Sequence, residues 1–112
     1  MIAMHKPFYT SGEHGDDALL IERFRDLLSD GLVEFVVSGH DHDMELQERD
    51  ANADGAMERF AVSGSAAKLR SISPGPHTLF GASEYGFAEL ELSAAGATIS
   101  FFGAGGELLY TR

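Results

Sequence analysis

Val33-Glu34-Phe35-Val36-Val37-Ser38, followed directly by Gly39-His40-Asp41-His42, is the stretch on which the fold turns. The first six residues are β-branched and almost unbroken in apolarity, which predicts a strand buried on both faces rather than one with a wet side. Gly39 then lets the backbone turn sharply, and two imidazoles follow at the strand's C-terminal end. In α/β sheets that is the edge where ligands gather.

Upstream, Asp16 or Asp17 makes a good N-cap for a helix running to about Ser29. Leu20, Phe24, Leu27 and Leu28 fall at i, i+4, i+7 and i+8, one stripe on a 3.6-residue period. Gly31 follows as the C′ stop, and Asp16, Asp17, Glu22, Asp26 and Asp30 read as the solvated face. Met1 to Phe8 reads as the end of a strand, Ile2-Ala3-Met4, breaking into a loop at Pro7. Such a strand is short against the usual length of about 5–6 residues.

Downstream, strands are expected at Met44–Arg49, Met57–Ser63, Lys68–Ile72, Tyr85–Leu92, Thr98–Phe102 and Leu108–Thr111. Phe87, Glu89 and Glu91 alternate with Ala88, Leu90 and Leu92, a period of two. Ala53-Asp54-Gly55, Pro74-Gly75-Pro76, Ala95-Gly96 and Gly103 to Gly106 supply turn chemistry between them. The chain therefore starts as strand-helix-strand and finishes as an antiparallel meander: α/β overall, α+β within this stretch.

The 112 residues make one domain, or at most half of a larger one. With 44% hydrophobic and 23% charged residues the composition is that of a globular chain. No apolar run is long enough to span a bilayer, and no charged segment leading into an apolar one opens the chain as a signal peptide would. Cysteine is absent, which removes disulfides, thiolate ligands and a cysteine nucleophile together. Eight Lys and Arg against 18 Asp and Glu leave a net charge of −10. A chain so acidic is not expected to bind nucleic acid or an anionic membrane.

Imidazole suits Zn, Fe, Mn and Ni, so His40 and His42 read either as metal ligands or as part of a polar loop. His5 adds to the first reading. It too stands where an apolar strand breaks into a loop, one helix earlier. The crossover rule makes the two strands parallel neighbours and brings His5, His40 and His42 to one edge of the sheet. Asp50-x-Asn52-x-Asp54-Gly55 copies the opening of a calcium loop, but Ala61 stands where the bidentate glutamate belongs, which favours a hairpin turn. His77 reads as a surface loop residue, and Phe87, Phe101 and Phe102 read as core.

Met4-His5-Lys6-Pro7-Phe8-Tyr9, Ser11-Gly12-Glu13-His14-Gly15 and Ser38-Gly39-His40-Asp41-His42, in that order, resemble the last third of a calcineurin-like metallophosphoesterase, most of all the purple acid phosphatase type. Ser63-Gly64-Ser65-Ala66 and Tyr85-Gly86-Phe87 resemble the segments that follow in that family. The resemblance implies that residues 1–112 are the C-terminal part of a β-sandwich flanked by helices. It further implies that His5 and His40 bind one metal of a dinuclear centre and His42 the other. His14 would face the phosphate, hydrogen-bonding it or protonating the leaving alkoxide; a solvated loop histidine is the alternative. The whole enzyme would hold two di- or trivalent transition metals (Fe, Zn or Mn), whose hydroxide attacks the phosphorus of a phosphoester substrate.

The family's Asp-x-His, Gly-Asp-x-x-Asp (or Tyr) and Gly-Asn-His motifs do not occur in this sequence. Residues 1–112 alone are therefore expected to hold at most one weakly bound Zn-like ion and to be inactive. They should also self-associate or pair with the missing half. The resemblance implies a periplasmic or secreted setting, with the cytoplasm left open. Two alternatives stand beside the phosphatase reading. One is a non-catalytic β-rich module with a structural or adventitious metal, and the other is a phosphodiesterase or nucleotidase of the same superfamily.

Overall fold

The computed structural model describes residues 1–28 and 31–112. Strand β1 (Ile2–Ala3) leads through a long loop to helix α1 (Ala18–Phe24), and β2 (Phe35–Ser38) returns parallel to β1, Ile2 beside Val36 and Ala3 beside Val37. The Asp17 carboxylate caps the helix by accepting from the Leu19 and Leu20 amides. The α-helix ends sooner than its apolar stripe suggests, because Arg25–Leu27 tightens into a 3₁₀ turn. That turn's period of three rotates Leu27 out to solvent and Leu28 into the core. The expected end at Ser29 lies outside the described residues, while Gly31 adopts the left-handed conformation a C′ stop requires.

Five strands form the first sheet in the order β1-β2-β4-β3-β5, with β3 at Met44–Arg49, β4 at Glu58–Ser63 and β5 at Thr78–Ala82. The second half is thus a meander only in part. Strands β3 and β4 form an antiparallel hairpin, but β4 lies parallel beside β2, and β5 adds to the far edge of β3. The second sheet, β6 (Gly86–Ser93), β7 (Gly96–Gly103) and β8 (Leu108–Thr111), is the antiparallel meander that was expected.

The strand expected at Lys68–Ile72 does not form. The Arg70 amide bonds to the His42 carbonyl, and the Ser71 amide and hydroxyl both bond to the Glu13 carboxylate, so this backbone serves a loop; Ile72 makes only an isolated bridge to Gly12. Its place in the sheet goes to β5, which contains Gly81 and lacks a clean apolar alternation.

Residues alternate between two cores, one on each side of the first sheet. Phe35, Met44, Leu46 and Ala61 face the second sheet and meet Ile99 and Phe101 from it. Val36 and Phe60 face the other way, onto Phe8, Tyr9 and Leu28, with Leu20, Ile21 and Phe24 of the helix packed beside them. This explains the apolar run Phe35-Val36-Val37: β2 packs on both faces. Two packed sheets with a helix on one outer face give the α+β, sandwich-type architecture expected from the sequence.

Candidate functional site

The parallel ladder of β1 and β2 carries on past both strands. The Met4 amide bonds to the Val37 carbonyl, and the Gly39 amide to the His5 carbonyl. That places His5 and His40 side by side. His40 itself has φ +67, in the left-handed region that few non-glycine residues enter. Its Nδ1 lies 3.1 Å from His5 Nε2, and the two rings meet edge to face. Burial, reinforced by His14, His5 and Lys6, holds the His40 imidazole below its ordinary pKa.

His14 arrives from the loop before the helix, with its ring centroid 4.5 Å from that of His40. Its Nδ1 contacts the buried Asp41 carboxylate, and Arg70 stands 3.2 Å from its Nε2. Arginine can only donate, so the ring is held with Nδ1–H donating to Asp41 and Nε2 accepting from Arg70. Both nitrogens are occupied. Asp41 also accepts from the Thr10 hydroxyl at 2.8 Å.

His40 joins His5 and His14, while His42 Nδ1 is buried without a hydrogen-bond partner. Among the described residues no three His, Asp or Glu side chains form a group able to hold a metal ion. Two zinc-bound imidazole nitrogens, each about 2.0–2.1 Å from the ion, lie roughly 3.3 Å apart at tetrahedral angles. The His5–His40 pair has nearly that separation, so it fits as two ligands of one ion.

Beneath the histidines lies a polar layer that no motif announced. Asp41, Asp43, Glu45 and Gln47 are all fully buried or nearly so, on the loop before β3 and on the β3 face away from the sandwich core. Glu45 accepts from the Ser11 amide, from Gln47 and from the Thr78 hydroxyl. Gln47 in turn accepts from Arg49, whose guanidinium lies over the Tyr9 ring. Asp43, between Asp41 and Glu45, has no partner for either carboxylate oxygen. Burial first, then Glu45, Asp41 and Glu13, push its pKa up to about 7, with only His14 opposing. The visible signal was the alternation of charged residues with Met44 and Leu46, which reads equally as a strand with a wet face. The loop from Phe8 to Gly12 covers that face instead.

The Asp50–Gly55 segment is a hairpin loop. Asp50 accepts from the Asp54 and Gly55 amides and Asn52 from the Asp54 amide, so these side chains serve the turn itself. His77 stands on the surface just before β5, and its carbonyl accepts from the Glu48 amide.

No protein-family model matches the chain. It is 33% identical over 109 residues to glideosome-associated protein 50 of Plasmodium falciparum, a match spanning 96% of this chain and 26% of that protein. A solved structure described as GAP50, the anchor in the inner membrane complex of Plasmodium, superposes with a TM-score of 0.79 at 31% identity. That match covers 96% of this chain and 33% of the solved one. The chain thus spans about a quarter of the curated relative it matches.

These likenesses correct the metallophosphoesterase resemblance. Both matched proteins are described as complex-associated or anchoring, not as hydrolases, so the reading of this chain as a metal-dependent phosphatase or phosphodiesterase is withdrawn. Of the residues expected at the site, His5, His14 and His40 cluster, and the His42 Nδ1 is buried without a hydrogen-bond partner.

Proposed function

We propose that this chain is a non-catalytic β-rich module that works by binding other proteins in a membrane-associated assembly. The observation that carries the reading is the likeness to an anchor of the Plasmodium inner membrane complex along nearly the whole chain. The engagement of both His14 nitrogens by Asp41 and Arg70 supports it, because a proton-transfer group needs a free position within reach of substrate. The net charge of −10 disfavours contact of these residues with anionic headgroups, and no helix among the described residues is long and apolar enough to cross a bilayer.

In this reading the histidine cluster is architectural. It ties the loop after β1 to the loop after β2, and the His5–His40 pair takes at most one Zn-like ion as a two-ligand site. The purified protein, assayed on a chromogenic phosphate ester with Zn²⁺, Mn²⁺ or Fe added, is expected to give the rate of buffer alone. Turnover that tracks protein concentration and vanishes in His14→Ala would defeat the proposal.

A further inference from the structure

The loop that joins β3 to β4 gathers its hydrogen bonds on one peptide link. The two Asp50 carboxylate oxygens accept from the Asp54 amide and the Gly55 amide, each at 3.0 Å. Asn52 accepts from the Asp54 amide as well, at 3.2 Å. The Asp54 carboxylate accepts from the Ala56 amide, two residues on, at 2.8 Å. A bond of that reach folds an aspartate side chain back over its own peptide link, here the one to Gly55. Gly55 has no side chain to shield its nitrogen, and its φ of +88 is one that glycine adopts at little cost. A carboxyl carbon, a main-chain nitrogen and a carboxylate base therefore stand together in one turn.

We propose that Asp54–Gly55 is a site of spontaneous isoaspartate formation, with Asp50 as the base. The Gly55 nitrogen attacks Cγ of the protonated Asp54 carboxyl, and an N–Cγ bond forms. The amide proton passes to the Asp50 oxygen that already accepts it. The Cγ–OH bond breaks, and the hydroxyl takes the proton back from Asp50 and leaves as water. A succinimide ring remains. Water then adds to the ring carbonyl that was the Asp54 main-chain carbonyl, and its bond to the Gly55 nitrogen breaks. The main chain now runs through Cγ, and the old carbonyl ends as a free carboxylate. Water is the only co-reactant, so the reaction needs neither a partner nor an open binding surface.

The consequence is local. The product adds a methylene to the main chain and removes the carboxylate that held the Ala56 amide. The Ala51 amide, bonded to Glu58 at 3.0 Å across the base of the loop, and the neighbouring Arg49–Glu58 pair lose order. Leu46 and Ala61, paired further along the same hairpin and buried in the core, keep theirs.

The test ages the purified chain for weeks in mildly acidic buffer beside a synthetic peptide of residues 49–57. Isoaspartate at residue 54 is followed by electron-transfer fragmentation and by lost cleavage with an endoproteinase that cuts before aspartate. The protein is expected to convert faster than the peptide, because the fold holds the reacting groups together. Asp50→Asn keeps an acceptor for the turn but cannot take the proton. It should slow conversion about tenfold, below the roughly 10²–10⁴ of stronger positioned bases. Asp54→Glu, whose longer side chain closes the ring far more slowly, should abolish the signal. Amide exchange in the aged fraction should quicken at Ala51 and stay unchanged at Ala61.

Conversion no faster than in the peptide overturns the proposal. So does a rate unmoved by Asp50→Asn in a protein whose circular dichroism is unchanged. Isoaspartate that persists in Asp54→Glu places the reaction elsewhere in the chain and overturns it too.

Discussion

Replacing Asp43 by asparagine keeps the shape of the side chain and removes a carboxylate that is fully buried, unpartnered, and flanked by Asp41 and Glu45. Its pKa in the fold, about 7 against an ordinary 3.8, is raised, so the fold prefers the protonated form. The stability this group contributes is therefore present below pH 4 and lost as pH climbs through 7. A shift of about three units corresponds to about 4 kcal/mol above pH 8, and local relaxation brings the expected cost to about 2–4 kcal/mol. At pH 5 most of the folded carboxyl is protonated, and the cost falls to less than half. That is a large share of the roughly 5–15 kcal/mol that holds a domain together. Urea unfolding of both proteins at pH 5 and pH 8 measures it. Asp43→Asn should be the more stable at pH 8 by about 2–4 kcal/mol, with the gap shrinking at pH 5. Glu13, whose carboxyl the Ser71 bonds pull the other way, is common to both proteins and cancels in the difference. A gap independent of pH, or a variant less stable at pH 8, would show that Asp43 has a partner absent from this account.

Gly64→Ala should destabilise by about 1–3 kcal/mol in thermal unfolding, because a methyl there overlaps the Asp41 carbonyl oxygen. Gly75→Ala, which meets open space, should leave the midpoint almost unchanged. Zn²⁺ titrated calorimetrically should bind at one weak site per chain, be lost in His40→Ala and persist in His42→Ala, since His5 and His40 have a ligand-like separation. Equal dependence on His42 would put that residue back beside the pair.

Much of the fold was legible because it followed from periodicity. Phe35 and Val36, successive residues of β2, had to be buried on opposite faces, and they are; the Asp17 side chain caps the helix where the sequence placed its start. What escaped was non-local. Strand β4 could pair with either neighbour, and its insertion between β2 and β3 follows from burying Phe60 on one core and Ala61 on the other. The Lys68–Ile72 segment had strand-like residues, but Glu13, remote in sequence, takes its hydrogen bonds. At the site, the meeting of His5 with His40 could be read from the strand-helix-strand crossover. The left-handed backbone at His40 is not disclosed by single-residue propensity. The buried carboxylates were hidden for a related reason: their alternation matched a solvated strand until the Phe8–Gly12 loop was seen to cover them.

The central claim is that the protein acts by association and not by turnover. Native mass spectrometry of the protein purified gently from its own source tests it most directly. The account predicts a stoichiometric complex with at least one different polypeptide and no free chain at comparable abundance. A spectrum dominated by the bare chain, unaltered across the salt range in which complexes persist, would contradict it.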